Sequence, residues 1–337
     1  MDGTQNMSNT NRQGYLLYSF LIVIVILLAY SSYDAFTRLY EKNNNRYALT
    51  QNIKSIEKHF KERIYFYNLS IKALASNKLL QEYISNGRNK KELQDLFLHM
   101  QRSLPDIFQI RYLDANGMEK IRVDGQAASL FGSAAQSRIA EEEKLQNKFS
   151  KDYFEHFIDL EAFEVGLSSI NLNKDFGKIT LPKEPTVRMG LPVFGKSSSV
   201  QGVLIFNISL RNLFQSLNDD TLFKVSIVDG SGKYLLHSNP SYGLIGDQSD
   251  YTLQDEFPYL HTSILSSDHF EHNNIFSNKM DIELDNQKLF LIIEKISQSI
   301  SPLEILEDKA LVRKYLFMTL FMTIILLLIL RSSREKK

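Results

Sequence analysis

Two stretches of this chain carry no charge at all: Tyr15 to Tyr30 (YLLYSFLIVIVILLAY) and Tyr315 to Leu330 (YLFMTLFMTIILLLIL). Neither shows a polar face, and each extends with its flanks to the roughly 20 residues that a helix needs to cross a bilayer core. They predict two membrane spans, one over 15–35 and one within 301–330. A cleaved leader is the other reading of the first run. Against it, no small-x-small cleavage site follows Ala29, and SSYDAFTRLY continues a helical pattern.

Between Gly14 and Gly87 there is no glycine or proline, and Ile53, Ile56, Phe60, Ile64, Tyr67, Ile71 and Leu74 recur at steps of three and four. This predicts a long helix over 36–84 with one apolar stripe. The stripe suits two partners: the domain's own core, or a second copy of the chain in a homodimer.

The texture changes after Pro105. IFQIRYLDANGMEKIRVDG alternates, turns at Asn116-Gly117 and alternates again, the pattern of a β-hairpin. EVGLSSINL, TVRMGLPVF and GVLIFNISL read as three more strands, and LRNLFQSL as a short helix. FKVSIVDGSGKYLLHS is a second strand-turn-strand around Asp229 to Gly232, and KMDIELDNQKLFLIIEKI predicts two closing strands. The fold class expected is α+β: two hairpin-led modules with antiparallel sheets in tandem on one long helix, between two transmembrane helices.

Composition adds exclusions. The 337 residues include 39 basic and 39 acidic side chains, and a balanced charge argues against nucleic acid as a partner. Without cysteine there is no disulfide framework and no thiolate metal site. Arg331, Arg334, Lys336 and Lys337 follow the second apolar run, which reads as a cytoplasmic tail. Arg313 and Lys314 precede it and can snorkel to the outer interface. Two spans then put both tails (1–14 and 331–337) inside and the section from about Asp34 to Lys309 outside.

Two constellations carry little chemistry. GLPVFGKS, Gly190 to Ser197, satisfies the phosphate-binding pattern G-x-x-x-x-G-K-[ST], but its interior is stiff and apolar and a strand pattern follows it instead of a helix. Asp268, His269, Glu271 and His272 are candidate metal ligands, yet no third ligand stands at fixed spacing, and a solvated polar loop is the plainer reading. No Gly-x-Ser-x-Gly elbow or His-Glu-x-x-His pair is present, so no catalytic residue and no cofactor is expected.

The run from Leu145 to Leu217, with IRYLDANGMEKIRVD before it and VDGSGKYLLHSNP after it, resembles the double-Cache (tandem PAS-like) sensor domains of bacterial histidine kinases, diguanylate cyclases and chemoreceptors. The likeness extends over about residues 34 to 300. It implies an outer module at 85–217, a membrane-proximal module at 218–300 and a bacterial plasma-membrane location with the large domain outside. The amino-acid-binding branch of the family carries an Arg-x-Trp-aromatic element and, on a later strand, an Asp for the ligand's ammonium. By resemblance, Lys151-Asp152-Tyr153-Phe154 stands at the first and Asn207 at the second.

The expected ligand-binding residues are therefore Lys151, Tyr153, Asn171, Arg188 and Asn207. With a neutral Asn207 where an ammonium would want a carboxylate, they favour a small organic anion. For Arg188 the alternative is a structural ion pair with Glu184 or Asp152. The resemblance implies a sensor and no enzyme. The short tail suggests a receptor without its own output domain, signalling to a membrane or cytoplasmic partner. The alternatives are the sensor half of a longer kinase or cyclase and a tethered binding or scaffold protein.

Overall fold

The computed structural model describes residues 49–104, 106–125, 137–195, 198–218 and 223–296, with isolated positions toward both ends. Among the described residues no helix is long and apolar enough to cross a membrane. The two uncharged runs and both tails lie outside them, apart from a few isolated positions.

Residues 51–75 form helix α1. Six of its seven stripe residues are buried within a single chain, Ile53, Ile56, Phe60, Tyr67, Ile71 and Leu74 each at most 8% exposed, while Ile64 is half-buried. The stripe is thus committed to the domain's own core, and the face left open carries Tyr65, Phe66 and Leu69. The helix expected to reach residue 84 stops earlier. Asn77 turns the chain, its side-chain oxygen accepts the Leu79 N–H at 2.9 Å, and a new helix α2 (Lys78–Asn86) begins. Asparagine is a strong N-cap because it offers the orphan amides an acceptor. Gly87, at φ 71°, ends α2 in the left-handed conformation that favours glycine. Helix α3 (Lys90–Ser103) follows and buries Leu93 and Phe97.

The first sheet is built from β1 (Ile107–Asp114), β2 (Glu119–Asp124), β3 (Arg138–Ile139), β4 (Gly166–Leu167), β5 (Asn171–Leu172), β8 (Pro185–Phe194) and β9 (Val200–Ser209). Its order is β3-β2-β1-β9-β8-β4, with β5 also pairing β8, and every pairing is antiparallel. The β1–β2 hairpin turns where expected. Asp114 Oδ1 accepts the Asn116 and Met118 amides, and Gly117 takes φ 74°. The run EVGLSSINL is not one strand but the two short pieces β4 and β5, separated by Ser168 to Ile170. A small ribbon, β6 (Lys174–Asp175) with β7 (Lys178–Ile179), and helix α4 (Asp152–Ile158) complete the module. Strands β1 and β8 are buried almost throughout because both sheet faces are covered, which is why they read as apolar runs.

Helix α5 (Arg211–Asn218) leads to the second sheet, β11-β10-β14-β13-β12, formed by β10 (Phe223–Asp229), β11 (Tyr234–Leu236), β12 (His269–His272), β13 (Ile275–Lys279) and β14 (Leu289–Lys295). Helices α6 (Leu253–Glu256) and α7 (His261–Ser266) join its core of Val228, Tyr234, Leu253, Ile264 and Phe290. Two expectations change here. The closing segment holds one strand, β14, since residues 280–288 turn back as a loop. The polar run SDHFEHNN is an edge strand, not a loop. Strand alternation sends His269 and His272 to opposite faces, so the pair does not converge on one ion. The phosphate-loop lookalike is likewise a strand through Phe194, as its apolar interior implied.

Residues 51–296 form one compact unit. Helix α1 reaches both sheets. Asp106, ahead of β1, accepts from Arg63 at 2.6 Å and from the Tyr67 hydroxyl at 2.8 Å. Lys61 pairs with Asp281 at 2.8 Å, and Asn278 donates to Glu57 at 2.7 Å. The modules are also strapped directly. The Asp285 N–H donates to Leu167 O at 2.8 Å, and Gln287 Oε1 accepts the Ile170 N–H at 2.6 Å.

Candidate functional site: a cationic cluster under α4

Side chains two apart on a strand share a face, and pairing register carries that face across a sheet. Gln109 pairs with Asn207, and Asn207 with Arg188, so these three form one cross-strand row. Arg111 lies two residues along β1, and Gly190 two along β8. Helix α4 covers the same face: Phe154 and Phe157 pack on Leu113, Val203 and Ile205. Gly190 is the point of closest approach, because a Cβ there would come within 2.2 Å of the Phe157 ring. This packing brings Tyr153, in the first turn of α4, over the two arginines.

Arg111 Nη2 donates to Asn207 Oδ1 at 2.7 Å, and its Nη1 to the Tyr153 hydroxyl at 3.2 Å. Asn207 Nδ2 donates to Gln109 Oε1 at 2.9 Å. Arg188 Nη1 donates to Asn171 Oδ1 at 2.9 Å, and its Cζ lies 4.9 Å from the centre of the Tyr153 ring. Arg111 Cζ is 5.5 Å from the same ring. Tyr153 is therefore held between two guanidinium groups, a contact its π-face favours.

The charges do not balance. Glu119 faces Arg111 at 3.4 Å, but its second oxygen accepts the Gln146 N–H and faces Arg122 at 3.7 Å. Arg122 is further held by Asp124 and Asp175. No carboxylate pairs with Arg188 among the described residues. Glu184 is taken by Arg211 at 3.4 Å and by the Ser209 hydroxyl, and Asp152 is exposed, so neither supplies the ion pair that the sequence left open. Burial, reinforced by repulsion from Arg111, pushes the Arg188 guanidinium down to about 10. Burial pushes the Tyr153 hydroxyl up, but Arg111, Arg188 and Lys148 outweigh it and leave the group below its ordinary value. The fields of three cations meet at this one side chain.

Tyr153, Asn171, Arg188 and Asn207 are thus brought together as expected. Lys151 is not. It stands exposed just before α4, outside the face that Tyr153, Phe154 and Phe157 turn inward. Lys148 takes its place: it is 7% exposed, its Nζ donates to Gln146 Oε1 at 2.7 Å, and burial first and Arg111 next lower its pKa. Arg111 was missed outright. Its signal was available, since it is the one cation among the apolar residues of IFQIRYL. A charge on a strand buried on both faces needs a partner or a function.

Solved structures show the fold. The extracellular domain of the histidine kinase vpHK1S-Z8 matches with a TM-score of 0.63 at 21% identity, over 75% of this chain and 91% of that one. A domain of a sensory box/GGDEF family protein from Vibrio parahaemolyticus gives the same TM-score and identity, over 75% of this chain and 96% of the other. The ligand-binding domain of the Pseudomonas aeruginosa PAO1 amino acid chemoreceptor PctC, in complex with GABA, gives 0.50 at 14% identity, over 75% and 100%. No curated protein matches. The Cache-type α+β architecture expected from the resemblance holds. A family model for the sensor domain of bacterial histidine kinases matches residues 48–293, well over half of the sequence, and the chain belongs to that family.

Proposed function

We propose that this chain is an extracytoplasmic receptor for a small organic anion, bound under α4 by Arg188 and Arg111 with Lys148 close by. Tyr153, Asn171 and Asn207 are the neutral partners. One observation carries the reading: Arg188 is buried, directed into a polar cluster, and has no carboxylate partner among the described residues. A buried guanidinium without a counter-charge is costly, and an incoming carboxylate removes that cost with a bidentate fit. The GABA seen in the PctC domain carries a carboxylate. In this chain the one acid of the cluster, Glu119, is already shared by two arginines and a backbone amide, so an ammonium would find only neutral partners. That favours a plain carboxylate over a zwitterion.

The two uncharged runs support a two-pass bacterial plasma-membrane location, with both tails in the cytoplasm. They also support signalling through the flanking helices. A thermal-shift screen of the full chain in detergent, with short mono- and dicarboxylates, amino acids and sugars, tests the ligand class. Stabilisation by at least one carboxylate, lost in Arg188→Ala, is the expected result. Stabilisation by sugars alone, or by a carboxylate that ignores Arg188→Ala, overturns it.

A further inference from the structure

A second cavity lies away from this cluster. A groove of about 720 Å³ opens where α1, the chain around β4, and the loop ahead of β14 meet. Its size is that of a small-molecule site, typically about 300 to 1,000 Å³. Phe60, Leu160, Leu167 and Met189 give it an apolar floor, and Tyr65 stands exposed along the wall. The rim is acidic: Glu164, Asp281, Glu283 and Asp285 line the groove against one ammonium, Lys61, and one imidazole, His156.

Lys61 is already spent on Asp281 at 2.8 Å, and the contact raises the lysine's pKa and lowers the aspartate's. Glu164 accepts the Glu161 N–H and Asp285 accepts from Asn286, both neutral donors. No cation pairs with Glu164, Glu283 or Asp285 among the described residues. A metal ion is a poor occupant, because no three acidic or histidine side chains among the described residues converge closely enough to ligate one. An occupant with an apolar body and one positive end meets every wall: the floor by burial, the rim by charge and Tyr65 by its ring face.

We infer that this groove is a second binding site, selective for a small organic ammonium ion with an apolar body. It is the opposite in charge to the cluster under α4. The site also sits on the strap between the modules, since Asp285 on its rim donates its N–H to Leu167 O at 2.8 Å. An occupant touches α1, the first sheet and the loop ahead of β14 at once.

Isothermal titration of the full detergent-solubilised chain with phenethylammonium chloride tests the inference, with 2-phenylethanol and 3-phenylpropionate as neutral and anionic analogues. The ammonium ion should bind, with the neutral and anionic analogues at least about fivefold weaker at this site, the usual scale of one partly exposed charge interaction. Glu283→Gln combined with Asp285→Asn should weaken the ammonium ion by a similar factor, and Glu164→Gln on the opposite wall should do so alone if the double variant fails to fold. Arg188→Ala should leave ammonium binding unchanged, which keeps this site separate from the anion reading. Equal binding of 2-phenylethanol, affinity untouched by Glu164→Gln, or no binding of phenethylammonium at millimolar concentration overturns the inference.

Discussion

Both modules set a polar cluster against a five- to seven-stranded antiparallel sheet, and the two clusters are built in opposite ways. In the second module one acid is surrounded by donors. Tyr234 donates its hydroxyl to Glu256, and His237 Nδ1 accepts the Asn239 N–H at 2.8 Å, which places the ring proton on Nε2, 3.0 Å from the same carboxylate. Tyr242 and Tyr251 stack at 4.1 Å beside them. Burial pushes the Glu256 carboxyl up, yet the bonds from His237 and Tyr234 outweigh it and hold the group below its ordinary value. In the first module three cations surround one phenol, and the acid present serves two arginines. A polar network that satisfies itself specifies a fold. One that leaves a charge over is poised for something to arrive.

Breaking that contrast at its sharpest point gives the largest expected effect. Arg188→Ala should weaken carboxylate binding by about 2 to 5 kcal/mol, the usual cost of truncating one side of a buried charge pair. Without ligand it should leave the unfolding temperature unchanged or slightly higher, since a desolvated charge has been removed. Titration calorimetry and thermal unfolding of the same protein separate the two. An apo chain that collapses on Arg188→Ala would make the arginine structural and erase the difference between the modules.

Next comes Gly190→Ala. The new Cβ would fall 2.2 Å from the Phe157 ring, so α4 must shift or strain. Overpacking of this kind costs about 1 to 3 kcal/mol. Because α4 also carries Tyr153, carboxylate affinity should fall along with stability. Loss of stability at full affinity would show that the α4 seating and the cluster are independent.

Much of the fold was legible because the signals were local. Asn116-Gly117 turns the first hairpin, Asp229 to Gly232 turns the second, and the Ile53 to Leu74 stripe is buried at the spacing it shows. What escaped was either a cap without the usual helix breakers or a contact with residues elsewhere in the chain. Ser76-Asn77 breaks the helix by capping, without any glycine or proline. EVGLSSINL looked like one strand, but Ile170 and Leu167 are held by Gln287 and Asp285 from more than a hundred residues away. In the site, Arg188, Asn171, Asn207 and Tyr153 were readable from residue type and family likeness. Arg111 showed only as a lone cation in an apolar strand, and Lys148 joins the candidate site only through the tertiary packing of the chain ahead of α4, which spacing along the sequence does not encode.

Glu256→Gln probes the other side of the comparison. Both donors meet one oxygen, Oε2, so the amide keeps an acceptor there but loses the charge, and a weakened pair of charge-assisted bonds is worth about 1 to 2 kcal/mol. The sign with pH follows from the depressed carboxyl. Its contribution is complete above the unfolded value near 4.5 and is lost as the pH falls through the lower folded value. The gap in unfolding temperature between the two proteins should therefore be widest near neutrality and narrow in acid below that point. A gap that grows in acid would mean that the folded chain does not hold the Glu256 carboxyl low.

The smallest expected effect is the one that distinguishes sequence position from structural position. Lys151 occupies the place that family likeness assigns to a ligand-binding cation, whereas Lys148 is the lysine whose charge reaches Tyr153. Lys151→Ala removes an exposed side chain from a residue that meets α4 only through its backbone, where its carbonyl accepts the Phe154 N–H at 2.8 Å. Alanine keeps that carbonyl, so stability should move by less than about 0.5 kcal/mol, as for most surface substitutions. Carboxylate affinity should be unchanged within error, while Lys148→Ala in parallel should lower it measurably. If calorimetry instead found Lys151→Ala the more damaging of the two, α4 would have to sit one turn differently when ligand is bound.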